Sequence, residues 1–247
     1  IILNYLLIYG TFGFPRLELL GAGIATTISR SLMGLFLFWI ISRDKRVQKY
    51  LRAAKRLKIR RESIMNLLKI GVPIGFQFVL EVSAFVAGTI MMGWLGVVPL
   101  AAHQIAISLS ALAFLAATGI ATSATIRVSN FLGNGQFHKM RNAGNSAYIM
   151  GMALMTFTAL CFIFLGRPIS MIFTNDEVVI ALSTQLLMIA GFFQIVDGAQ
   201  AVGLGVLRGL EDVKIPTIIV IIAYWGLSIP LSFFFAFTMG MGAVGVW

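Results

Sequence analysis

The chain has 247 residues, of which 59% are hydrophobic and only 11% charged, with a net charge of +10. Its mean hydropathy is +0.93, whereas a soluble domain carries about 25% charged residues, so an ordinary soluble domain is excluded and an integral membrane protein is implied. A nucleic-acid-binding protein would spread its positive charge over a surface, but ten of the nineteen Lys and Arg fall within residues 43–61; no nucleic-acid partner is expected. The chain opens at Ile1 without a charged–apolar–small leader and stops inside the pattern GAVGVW, so it reads as about half of a longer chain. The single Cys161 lies in ALCFIFL and implies neither a disulfide nor a redox compartment.

A helix that crosses a bilayer needs about 20 mostly apolar residues. By that measure the sequence predicts a stub at 1–9 and spans at 19–42, 67–95, 100–126, 146–166, 179–207 and 215–237, with a further span opening near 242. Runs of this length without period-two alternation are helices, because lipid leaves the backbone no other open-chain way to satisfy its polar groups. Pro73 and Pro230 fall inside spans and are expected to bend them. Gly71/Gly75 and Gly205/Gly209 have the small-xxx-small spacing of close helix contacts. LLGAGIATTIS at 19–29 and MGMGAVGVW at 239–247 share a Gly/Ala pattern, compatible with two related halves.

Basic residues alternate strictly between connections. Fifteen lie at 43–61, 127–145 and 208–214, and only Arg16 and Arg167 lie in the connections between these. By the positive-inside rule the three basic loops are cytoplasmic. Within 43–61, Val47, Tyr50, Leu51, Ala54 and Leu57 fall at helical spacing opposite Lys and Arg. This predicts an amphipathic helix held on the anionic inner leaflet.

Two of the nine acidic residues, Glu81 and Asp197, lie deep in apolar spans. A charge at the bilayer centre costs about 2.5–3.5 kcal/mol, so such residues are kept for use. Glu81 stands twelve residues beyond Lys69 and Asp197 eleven before Arg208, which places both about 16–18 Å from the inner boundary at 1.5 Å per residue. Gln77 is the i−4 neighbour of Glu81; Gln194 and Gln200 are the i±3 neighbours of Asp197. Carboxylates and amides on two facing helices form a hard-oxygen site suited to Na⁺, H⁺ or an organic cation. Ser83 stands beside Glu81 as a possible member. Arg30, within TTISRSL, is a further possible functional residue. His103 and Gln104 read as a hydrogen-bonded pair near an external end. HExxH, GxSxG, P-loop and paired CxxC patterns are absent from the sequence, so neither an enzyme nor a cofactor is expected.

KIGVPIGFQFVLEVSAF, LGVVPLAAHQIAISLSALAF, IRVSNFLGNG and GVLRGLEDVKIP resemble the multidrug and toxic compound extrusion (MATE) family, in particular its bacterial NorM-like branch. The resemblance implies an all-α integral membrane protein, part of a twelve-helix, two-lobe fold. Residues 1–42 would hold the late fifth and the sixth helices, 43–66 the basic cytoplasmic linker, and 67–247 the seventh to eleventh helices and the start of the twelfth. It implies efflux of cationic amphipathic drugs in exchange for Na⁺ or H⁺ by alternating access, in a bacterial cytoplasmic membrane. Na⁺ would bind at Glu81 and Asp197. An alternative is a lipid-linked-oligosaccharide flippase of a related branch; its pyrophosphate cargo would want basic residues in the cavity, where Arg30 is the one basic residue found within a span. A membrane module without transport would tolerate loss of both carboxylates.

Overall fold

The computed structural model describes residues 2–10, 17–43 and 61–247. The first helices are α1 (Ile2–Tyr9), α2 (Glu18–Arg43) and α3 (Arg61–Leu95). They are followed by α4 (Val97–Gly133), α5 (Phe137–Phe173) and α6 (Glu177–Gly209). Last come α7 (Lys214–Thr238) and the short α8 (Ala243–Val246). Helices α2 to α7 are six elements long and apolar enough to span a membrane, matching the six complete spans expected from hydropathy. The expected stub and the span expected to open near 242 correspond to α1 and α8.

The chain forms two units, residues 1–64 and 65–247. In the first, α1 and α2 pack together where Gly21 presents its bare Cα to the Leu7 carbonyl. Arg30 lies exposed on α2 in this unit. The amphipathic helix expected over 43–61 falls almost wholly on residues 44–60, outside the described residues. α3 begins at Arg61, six residues before the expected span, because a helix continues past the hydrocarbon that a hydropathy window senses. For the same reason the expected 127–145 loop is mostly helix. α4 runs to Gly133 and α5 starts at Phe137, so Arg127, Lys139 and Arg141 sit on helical extensions. Gly135, with φ +67°, lets the chain reverse between them.

The second unit is built on α4, α5 and α6, with α6 packed closely against both of the others. Small residues make this possible. A Cβ at Gly205 would stand 2.5 Å from the Ala121 carbonyl oxygen, and one at Gly209 2.9 Å from that of Thr125. The Thr125 hydroxyl donates to the Gly205 carbonyl at 2.6 Å. On the other side Gly151 meets Val202, and Gly198 meets Met155. The Gly205/Gly209 expectation is thus met, whereas Gly71 and Gly75 face open space within this structure. Asp176 caps α6, accepting from the Val178 and Val179 N–H groups at 2.9 and 3.4 Å.

α3 and α7 make no extensive backbone contact with this trio. They are attached through side chains: Met91 and Met92 of α3 and Ala236 of α7 join the apolar core. α3 continues helically through Pro73. α7 widens into i→i+5 turns at Ile221–Ser228 and Phe234–Thr238, on either side of the segment carrying Pro230.

His103 ties three elements together. Trp247 Nε1 donates to its Nδ1 at 2.9 Å, and its Nε2 lies 3.0 Å from Thr89 Oγ1. Indole N–H only donates, so Nδ1 accepts, and a neutral ring carries its hydrogen on Nε2 and donates to Thr89. The Thr89 hydrogen goes to the Phe85 carbonyl at 3.0 Å. His103 is therefore hydrogen-bonded as expected, with Thr89 and Trp247 as its partners rather than the exposed Gln104.

The α4–α6 contact yields a direct prediction. Gly205→Ala is expected to destabilise the purified protein by about 1–3 kcal/mol, the usual cost of overpacking. Gly203→Ala, whose added methyl meets open space, should leave thermal unfolding in detergent unchanged or slightly improved.

Candidate functional site

The two intramembrane carboxylates come from α3 and α6, and α7 completes their surroundings. Glu81 is 8% exposed and Gln77, one turn away, 2%. The Glu81 carboxyl faces the Tyr224 hydroxyl and lies within electrostatic reach of Arg208 and Asp197. Gln200 Nε2 donates to the Tyr224 hydroxyl at 3.2 Å. Tyr224 belongs to the first widened stretch of α7 and meets groups from both other helices.

Asp197 and Glu81 open into different spaces. Asp197 lines a chamber of about 350 Å³ with Phe85, His103, Phe193, Tyr224 and Trp247. Glu81 lines a niche of about 70 Å³ with Thr118, Thr122, Gln200 and Arg208. Gln200 borders both. Asp197 thus shares its chamber with Ala84 and Phe85, while Glu81 shares its niche with Ala201 and Leu204. The carboxylates are staggered along the antiparallel helices by about one turn, roughly 5–6 Å. Equal depth was expected from setting Lys69 and Arg208 at one level; Arg208 instead turns inward to meet Gln77, eight residues further along α3.

The inward turn of Arg208 is well supported. Its Nη2 donates to Gln77 Oε1 at 3.2 Å, and its guanidinium lies 4.7 Å from the centre of the Phe78 ring. Gln77 Nε2 in turn donates to Thr217 Oγ1 at 2.9 Å and reaches the Val213 carbonyl at 3.4 Å. Gln77 therefore bridges α3, α6 and the start of α7. Sequence reasoning missed Arg208, Thr217 and Tyr224. An arginine in the last turn of a helix is already accounted for by the helix dipole, and a tyrosine in IIAYWG looks like one more lipid-facing aromatic. The only sequence signal was that Arg208, like the carboxylates, follows a long apolar run.

Other expected members lie elsewhere. Gln194 is 1% exposed and donates through Nε2 to Thr158 of α5. Residues i and i+3 differ by about 60° around a helix. On α6, wedged between α5 and the cavity, that angle suffices to send Gln194 and Asp197 to opposite neighbours. Ser83 spends its hydroxyl on the Leu80 carbonyl at 2.8 Å. Arg30 lies in the other unit. Within its unit the structure thus brings together Glu81, Asp197, Gln77 and Gln200, and leaves out Gln194 and Ser83.

Six membrane-length helices, two of them carrying carboxyl groups deep in apolar runs, define a multi-pass membrane protein. The chain belongs to the MatE family, whose model matches residues 73–234. It is 38% identical over 99% of its length to a probable multidrug resistance protein NorM of Brucella suis. It is 36% identical over its full length to the multidrug resistance protein NorM of Burkholderia vietnamiensis, and 34% over 99% to MdtK of Edwardsiella ictaluri. It spans 53–54% of those relatives, about half their length. Among solved structures, the eukaryotic MATE transporter AtDTX14 superposes with a TM-score of 0.83 over all of this chain and 54% of its own, at 20% identity; this likeness supports the all-α membrane fold.

The Gln77 bridge generates a second prediction. Gln77→Leu removes the acceptor for Arg208 and the donor to Thr217, leaving polar groups unpaired at about 1–3 kcal/mol. Denaturant unfolding should show a loss of that order, with Gln77→Glu, which keeps an acceptor for Arg208, losing less.

Proposed function

We propose that the protein is a multidrug exporter of a bacterial cytoplasmic membrane, driven by exchange for Na⁺ or H⁺. The observation that carries this reading is the division of the site into an ion-sized niche with Glu81 and a larger aromatic chamber with Asp197. A carboxylate out of water demands a positive partner or a proton. In the niche, Glu81 has Tyr224, Gln200 and three threonines near it, oxygen donors suited to a small hard cation. In the chamber, Asp197 faces aromatic rings, and an amphipathic cation gains from both the carboxylate and the ring faces.

The compartments communicate through Gln200 and Tyr224, so charge entering one changes the field in the other. A cation on Glu81 weakens the hold of the pair on a drug cation, and the reverse holds. Exchange follows when the two occupied forms favour opposite openings of the transporter, since a ligand shifts a conformational equilibrium only by its differential affinity for the two states. In the conformation described here Arg208 supplies part of the countercharge to Glu81. The basic segments at 43–61, 127–145 and 208–214 would face the cytoplasm. The multidrug-resistance names of the relatives favour efflux over flipping of a pyrophosphate-linked lipid, as do the acidic groups lining both compartments.

Vesicles containing the protein, loaded with a fluorescent cationic dye, test the reading under an imposed Na⁺ gradient at fixed pH and under a pH gradient at fixed Na⁺. Glu81→Gln is expected to lower gradient-driven dye movement at least about tenfold, equivalent to about 1.4 kcal/mol of lost cation binding. Asp197→Asn should raise the dye concentration needed for half-maximal transport. Undiminished transport in both variants would make the carboxylates packing elements.

A further inference from the structure

The hairpin of α4 and α5 has a groove that neither carboxylate touches. Both helices pack more extensively on α6 than on each other, so they part on the side away from it. The resulting space is about 670 Å³, between Gly119, Ala116 and Ala124 of α4 and Ala143, Ala147 and Met150 of α5. Its mouth, near the turn at 134–136, carries Arg127, Lys139 and Asn142. Arg127 and Lys139 are exposed, no acidic residue lines the groove, and neither base forms an ion pair among the described residues.

The dimensions of the groove indicate its occupant. From Arg127 to Ala116, and from Lys139 to Met150, is eleven residues on each helix, about 16 Å at 1.5 Å per residue. That is half of a hydrocarbon core about 30 Å thick, or one leaflet. A small-residue slot one leaflet deep, with two unpaired bases at its headgroup end, matches a phospholipid: an acyl chain in the slot and an anionic headgroup at the mouth. We propose that this groove is a binding site for one anionic phospholipid of the leaflet at the basic end of the hairpin. Arg127 and Lys139 hold the phosphate and the added headgroup charge, Asn142 offers a hydrogen bond, and the slot excludes ligands without a chain. The site is independent of the cation-exchange reading. It is also distinct from the surface attraction expected of 43–61, which needs no slot.

Native mass spectrometry of the purified, delipidated protein tests this, with phosphatidylglycerol and phosphatidylcholine of identical chains and with soluble glycerol phosphate. Wild type should retain one phosphatidylglycerol in preference to phosphatidylcholine and no glycerol phosphate. The double variant Arg127→Gln/Lys139→Gln should bind that lipid roughly 25-fold more weakly, at about fivefold for each basic residue near an anionic headgroup. Gly119→Phe keeps both charges and fills the slot, where an added Cβ meets open space; it should abolish retention of the same single lipid. Equal retention of both lipids by wild type, binding of glycerol phosphate as tight as that of phosphatidylglycerol, or unaltered retention in both variants would overturn the proposal. The melting temperature of each variant without lipid should match wild type, separating loss of the site from loss of the fold.

Discussion

The seating of α6 between α4 and α5 is the constraint on which the rest of this half-bundle depends. In a bilayer, helices gain no hydrophobic advantage by leaving lipid for one another, so close van der Waals contact and interhelical hydrogen bonds must hold them. Gly205 and Gly209 remove the side chains that would keep α6 from the α4 backbone, and Thr125 bonds across the gap they create. Gly151, on α5, and Gly198, on α6, do the same on the other side. Once α6 is fixed on two faces, its remaining face determines what a solute meets, and that face carries Asp197, Gln200 and Arg208.

The looser attachment of α3 and α7 is the complement of that rigidity. Had they packed as closely as α4 and α5, the chamber and the niche would not exist. They are held instead by directional polar contacts: Gln77 to Arg208 and Thr217, Trp225 to the Leu80 carbonyl at 3.4 Å, and His103 to Thr89 and Trp247. Such contacts locate a helix without filling the space beside it. The same arrangement on α6 leaves the outer side of the α4–α5 hairpin parted, so the groove and the two compartments with the carboxylates have one structural origin.

Much of this was legible in the sequence because hydropathy and buried charge are local signals. The six spans follow from run length, and Glu81 and Asp197 stand out because nothing about lipid explains them. Gly205/Gly209 was legible as a contact motif, but the identical spacing of Gly71/Gly75 was not evidence of contact, since spacing says nothing of what lies opposite. The face occupied by Gln194 depended on how α6 is rotated between its neighbours, which a one-dimensional pattern does not contain. Arg208 was hidden by an explanation that was locally sufficient: a base at a helix end satisfies both the dipole and the positive-inside rule. Tyr224 was hidden by its setting, because its orientation comes from a widened helical stretch that composition does not announce.

The central claim is that Glu81 and Asp197 hold positive charge in coupled compartments. It is tested most directly by equilibrium binding of a cationic dye to the purified protein, followed by fluorescence anisotropy while Na⁺ or protons are titrated in. At least one of these ions should displace the dye in wild type, Asp197→Asn should weaken dye binding itself, and Glu81→Gln should make dye binding insensitive to the ion. Dye binding indifferent to both ions and to both substitutions would contradict it.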